Sequence, residues 1–168
     1  MSKIQRIVLA GGCFWGVQEY FKRLKGVATT TVGYVNGNIK NPTYEDLKKM
    51  KATHAEACEI YYDKEQISLS TLLNHMFRFI DPLSVNKQGG DKGIQYRTGI
   101  YYQDQNDKEE IDEFIKKQEE KYNQKLAVEV QVEDGYYLAE EYHQDYLAKN
   151  PHGYCHVNMN LISEDEKK

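Results

Sequence analysis

The sequence predicts one α+β domain, helices packed on a sheet in two layers, and three observations carry that prediction. Strand-like alternation and helix-like steps of 3 and 4 residues take turns along the chain, roughly in the order βαβ(α)βαβαβα. One pair of the expected strands is joined by a short connection, so the sheet is not built from long crossovers alone. A length of 168 residues with 40% hydrophobic and 29% charged composition suits one compact core that needs no staples. No linker, repeat or low-complexity stretch interrupts residues 1–162, which are expected to form a single domain. The charged end, 163–168, is expected to fray.

The elements follow in order. Residues 4–10 read as a strand that stops at Gly11-Gly12. From Phe14 the period turns helical, with Phe14, Val17, Phe21 and Leu24 on one face and Tyr20 beside them. Residues 27–35 read as a strand closed by the turn pair Asn36-Gly37. A short helix is expected over 42–50, with Pro42 in its first turn. Residues 54–62 alternate as a strand. Ser68 or Ser70 caps a helix that carries Leu69, Leu72, Leu73, Met76, Phe77 and Ile80 and ends at Asp81-Pro82. A glycine-rich loop over 83–94 leads to a strand near 97–102, a surface helix over 107–122, a strand marked by Val128, Val130 and Val132, and a last helix over 138–147.

Several function classes are excluded on composition. The formal net charge is −4, with no basic stripe to neutralise phosphates, so no nucleic-acid partner is expected. The apolar run 7–10 is too short for a signal-peptide core and no later stretch could span a bilayer, which points to a cytoplasmic chain without a membrane partner. There, three cysteines, an odd count, do not make a permanent disulfide framework. Histidines and Cys155 gather near the end, with His152 and His156 four residues apart, but no CxxC pair exists, so no metal is expected.

Four places remain where chemistry could sit. Cys13 follows two glycines at a helix start, where unpaired backbone N–H groups favour a thiolate; the alternative is a buried structural cysteine. Phe14 and Trp15, the only tryptophan, are either the wall of a small apolar pocket or plain core. Glu56 shares a strand face with Cys58 and Ile60. A carboxyl held there loses hydration and stays protonated as a general acid, unless the face is solvated. The loop 88–96 has no phosphate-binding pattern but presents Asp91 and Tyr96 as hydrogen-bonding groups. Cys155, in a glycine-containing segment without periodicity, is placed where a second, resolving thiol would sit, or is an exposed bystander. Cys58 reads as buried filler.

Gly11-Gly12-Cys13-Phe14-Trp15-Gly16 resembles the GGCFWG motif of the A-type peptide-methionine (S)-S-oxide reductases. Further matches follow in order: Asn41-Pro42-Thr43-Tyr44, His54-Ala55-Glu56-Ala57, Asp81-Pro82, Gln88-Gly89-Gly90-Asp91, Gln95-Tyr96-Arg97 and residues 150–155. The resemblance covers about 8–161 and the combination is highly specific. It implies a ferredoxin-like βαββαβ core with extra helices and long loops, and makes 1–162 a catalytic domain that reduces methionine S-sulfoxide, free or in oxidised proteins. It further implies that Cys13 thiolate attacks the sulfoxide sulfur while Glu56 supplies a proton. Tyr44 and Tyr96, with Asp91 through water, would bond the oxygen, and Phe14 and Trp15 would receive the methyl group. A Cys13 sulfenic acid and then a Cys13–Cys155 disulfide would follow, reopened by thioredoxin as external reductant, with no bound cofactor. Nothing in the sequence demands more than a monomer. Many relatives have Val where Cys58 stands and Gly where Thr53 stands, and no cysteine follows Cys155 for a further relay. Two other classes are weighed: a cysteine hydrolase or transferase pairing Cys13 with one of five histidines, and a non-enzymatic module that binds methionine sulfoxide.

Overall fold

A computed structural model describes residues 3–168; Met1 and Ser2, the start of the expected domain, lie outside the described residues. The chain runs β1 (Ile4–Gly11), α1 (Phe14–Lys22), β2 (Val27–Val35), α2 (Tyr44–Lys48), β3 (Ala55–Asp63) and α3 (Leu69–Phe79). A two-residue hairpin follows, β4 (Lys87–Gln88) and β5 (Asp91–Lys92), then β6 (Thr98–Tyr102), α4 (Gln105–Tyr122), β7 (Glu129–Val132), β8 (Tyr136–Leu138) and α5 (Tyr146–Lys149). The main sheet has the order β7-β6-β1-β3-β2-β8. Its four central strands, β6-β1-β3-β2, are antiparallel throughout. With α1 and α3 as the crossovers, this is the ferredoxin-like order. Strand β7 extends one edge in parallel and β8 the other in antiparallel pairing.

The alternation of each strand decides what lies on each face. Ile7, Leu9, Cys58, Ile60 and Ile100 meet the apolar stripes of α1 (Val17, Tyr20, Phe21), α3 (Leu69, Leu72, Leu73, Met76) and α4 (Ile111, Phe114) in the main core. Val8, Ala10, Val35, Ala55, Ala57 and Tyr101 are buried on the opposite face. A third cluster joins Phe14 to Val32, Tyr34, Leu47, Ala52 and Ala139, with Trp15 and Tyr44 packed against it. That cluster holds the mouth of α1 against β2.

Local signals explain most boundaries. Ser68, not Ser70, caps α3 by accepting the Thr71 N–H. Asp104 caps α4, so that helix begins earlier than its apolar period suggests. Pro42 precedes α2 instead of lying in its first turn. Thr43 is the cap, with Asp46 closing a capping box. The helix expected over 138–147 is replaced by β8, a 3₁₀ turn at Glu141–His143 and the four-residue α5. The cause is pairing with β2: Gly33, Tyr34 and Val35 face Leu138, Tyr137 and Tyr136 across the sheet edge. The Gln144 side chain bonds both the N–H and the carbonyl of Val32. The end 163–168 lies against the domain. Arg78 grips the Glu166 carboxylate through two 2.8 Å bonds, and the Lys25 N–H donates to the Glu166 carbonyl at 2.9 Å. Its Glu166 charge finds a partner on α3, and its backbone pairs with the residues just after α1. No described helix is long and apolar enough to cross a membrane.

Candidate active site

The β1–α1 corner builds the site. Gly12 turns the chain with φ +90°, and a Cβ there would meet the Gln88 Cβ at 2.8 Å and the His156 Nε2 at 2.9 Å, so the corner admits only glycine. Cys13 is the N-cap residue of α1 and is 7% exposed. Beside it, Glu56 projects from β3 with 1% exposure. Its Oε1 accepts the Phe14 N–H at 3.3 Å and its Oε2 accepts the Gln95 Nε2–H at 2.9 Å. Thiol and carboxyl therefore share one helix N-terminus, and β3 and the loop before β6 both reach it.

Burial dominates the protonation of both groups. It pushes the Glu56 carboxyl up to about 8, against bonds from Gln95 and Phe14 that pull it down; the Asp91 charge adds to the rise. The helix end favours a thiolate, and burial works against it. Burial, with Glu56 next, drives the Cys13 thiol far above its ordinary range, and the Trp15 amide donating to the sulfur only partly offsets this. A helix terminus acts on a charge already formed, whereas here the charge would have to form in an apolar setting. Burial thus favours the protonated form of both groups.

The other expected residues divide. Tyr44 and Tyr96 are neighbours, and each bears on the other's titration. Burial, then the Glu56 and Cys13 charges, raises Tyr44 to about 12. Tyr96 is raised further, by burial first and then Glu56. Both are therefore phenol donors close to Glu56. Asp91, at the start of β5, accepts the Tyr154 hydroxyl at 2.9 Å. Trp15 is half-buried, stacked on Tyr146 at 3.8 Å and 8°, and its indole N–H donates to His143 Nδ1 at 3.0 Å. Phe14 is 1% exposed against Tyr34 and His143, so it backs the wall that Trp15 and Tyr44 expose. Cys155 is exposed, yet its Sγ lies 3.0 Å from where a Cβ on Gly16 would stand, over the first turn of α1. It opens on a groove between Arg23, Leu147, Pro151 and Met159. Cys58 is sealed in the main core. Among the described residues no histidine hydrogen-bonds Cys13. His143 faces Trp15, His75 faces Tyr20 and His156 faces Gly11. Nor do three His, Cys, Asp or Glu side chains come together to hold a metal among those residues.

A family model described as peptide methionine sulfoxide reductase matches residues 5–168. The chain belongs to that family. It is 51% identical over 156 residues to a peptide methionine sulfoxide reductase MsrA of Clostridium perfringens, covering 93% of this chain and 99% of the relative. Its structure resembles reduced Mxr1 from Saccharomyces cerevisiae with a TM-score of 0.83 and 34% identity, over 90% and 88% of the two chains. Methionine sulfoxide reductase A of Corynebacterium diphtheriae matches with a TM-score of 0.79 and 30% identity, over 92% and 79%. Sequence reasoning missed Gln95, His143, Tyr146 and Tyr154, all of which touch the expected residues in this family member. Gln95 and Tyr154 lie inside the matched stretches 95–97 and 150–155, and for His143 and Tyr146 the available signal was the run Tyr142-His143-Gln144-Asp145-Tyr146, polar and aromatic where a helix stripe should be apolar.

Proposed function

We propose that this chain reduces methionine S-sulfoxide, free or in oxidised proteins, with Cys13 as attacking sulfur, Glu56 as proton donor and Cys155 as resolving thiol. The carrying observation is a carboxyl held neutral to about pH 8 beside a nucleophilic sulfur at one helix mouth. A sulfoxide oxygen is weakly basic, so it needs a donor as negative charge develops on it. Glu56 donates to that oxygen as Cys13 sulfur attacks the sulfoxide sulfur, and the new carboxylate takes the Cys13 proton. The attack thus needs no standing thiolate. Tyr44 and Tyr96 donate to the same oxygen, Asp91 orders a water there, and Trp15 backed by Phe14 receives the methyl group. The hydroxyl passes to Cys13, methionine leaves, and Cys13 is left as a sulfenic acid: the sulfoxide sulfur gains two electrons and Cys13 sulfur loses them.

Cys155 then attacks Cys13. The S–O bond breaks, the S–S bond forms, and the Cys155 proton leaves with the hydroxyl as water. The exposed groove at Cys155 gives an external dithiol protein of the thioredoxin type access to the disulfide. The chain works as a monomer in the cytoplasm with no bound cofactor, and neither nucleic acid nor membrane takes part. A single turnover without reductant tests the reading. Wild type should form about one methionine per chain from the S-sulfoxide and none from the R-sulfoxide, and Cys13→Ser should form none. Methionine from Cys13→Ser would refute the nucleophile.

A further inference from the structure

Cys155 is tied down on both sides. Before it, Tyr154 donates to Asp91; after it, His156 Nε2 lies 2.8 Å from the Gly11 carbonyl oxygen, two residues ahead of Cys13. A carbonyl only accepts, so Nε2 carries the proton. The ring fills space that glycine leaves. A Cβ on Gly12 would meet Nε2 at 2.9 Å, and one on Gly89 would meet the His156 Cβ at 3.2 Å. The Phe79 ring stands edge-on to the imidazole. Nδ1 is buried without a hydrogen-bond partner among the described residues, and burial lowers the histidine's pKa, so the ring stays neutral. None of its described hydrogen bonds or ring contacts is to Glu56, Tyr44, Tyr96 or Trp15.

We propose that His156 is a positioning residue for disulfide formation: its bond to Gly11 anchors the segment that carries Cys155 so that Sγ stays over the first turn of α1, within reach of oxidised Cys13. This rests on the function proposed above. It assigns to a residue outside the sulfoxide pocket a role in the second half-reaction alone, the step that joins Cys13 to Cys155 and releases water. Without the anchor Cys155 spends more time away from α1, and the sulfenic acid lives longer.

Rapid-quench single turnover with free methionine S-sulfoxide separates the two halves. Methionine reports the first, and dimedone-trapped sulfenic acid against disulfide, by mass, reports the second. His156→Ala should form methionine within about twofold of the wild-type rate but form disulfide about fivefold more slowly, the worth of one neutral hydrogen bond. His156→Gln, whose amide N–H can reach the same carbonyl, should recover most of that loss, and His156→Asn, too short to reach it, should not. If His156→Ala fails to fold, the Gln and Asn pair carries the comparison. Disulfide formation at the wild-type rate in the Asn variant would overturn the proposal, as would parallel loss of methionine formation. A wild-type chain that forms no methionine would overturn the function itself and this role with it.

Discussion

Glu56→Gln removes one ionisable group from the site and should change stability in a way that depends on pH. In the unfolded chain the carboxyl titrates near 4.5; folded, it titrates near 8. Between these values the folded protein holds a proton that the unfolded chain has released. Stability from this group is therefore full below pH 4.5 and is lost as pH rises toward 8. At about 1.4 kcal/mol per pH unit, the loss between pH 5 and pH 9 comes to about 4 kcal/mol. Glutamine does not titrate, and its carbonyl can still accept the Phe14 N–H while the Gln95 amide turns to meet its NH₂. Urea unfolding of both proteins at pH 5 and pH 9 reads the effect. The variant should gain about 4 kcal/mol on wild type between the two. A difference that stays the same within about 0.5 kcal/mol would mean that Glu56 ionises normally, and the proton-donor role would fail.

Two further substitutions probe the corner and the recycling thiol. Gly12→Ala should cost about 1–3 kcal/mol in urea unfolding, because φ is +90° and the new Cβ would overlap Gln88 and His156; a loss under about 0.5 kcal/mol would contradict the packing. Cys155→Ser should still form one methionine per chain but stall in steady state with a thioredoxin-type reductant, and undiminished turnover would remove Cys155 from the relay.

Patterns that act over a few residues were legible in the sequence. The glycine turn before Cys13, the stripe of α1, the shared face of Glu56 and Cys58 and a serine cap at 68 or 70 all rest on local period and backbone chemistry. What was hidden depends on distant partners. The bonds of Trp15 to His143, Gly11 to His156 and Glu56 to Gln95 span 128, 145 and 39 residues. The stretch 138–147 has helical spacing, but an open sheet edge at β2 claims its first residue and Gln144. The state of Cys13 follows the same rule. Its helix-end donors are visible locally, while the burial that outweighs them is a tertiary effect, and the charges that add to it come from distant Glu56, Asp91 and Cys155.

The rate of methionine formation in a single turnover, followed from pH 6 to pH 10, tests the central claim most directly. With Glu56 as proton donor the wild-type rate should be level to about pH 8 and fall above it, and Glu56→Gln should be slow and lack that bend. A wild-type rate that climbs through pH 8 to pH 10, following simple thiol ionisation, would contradict it.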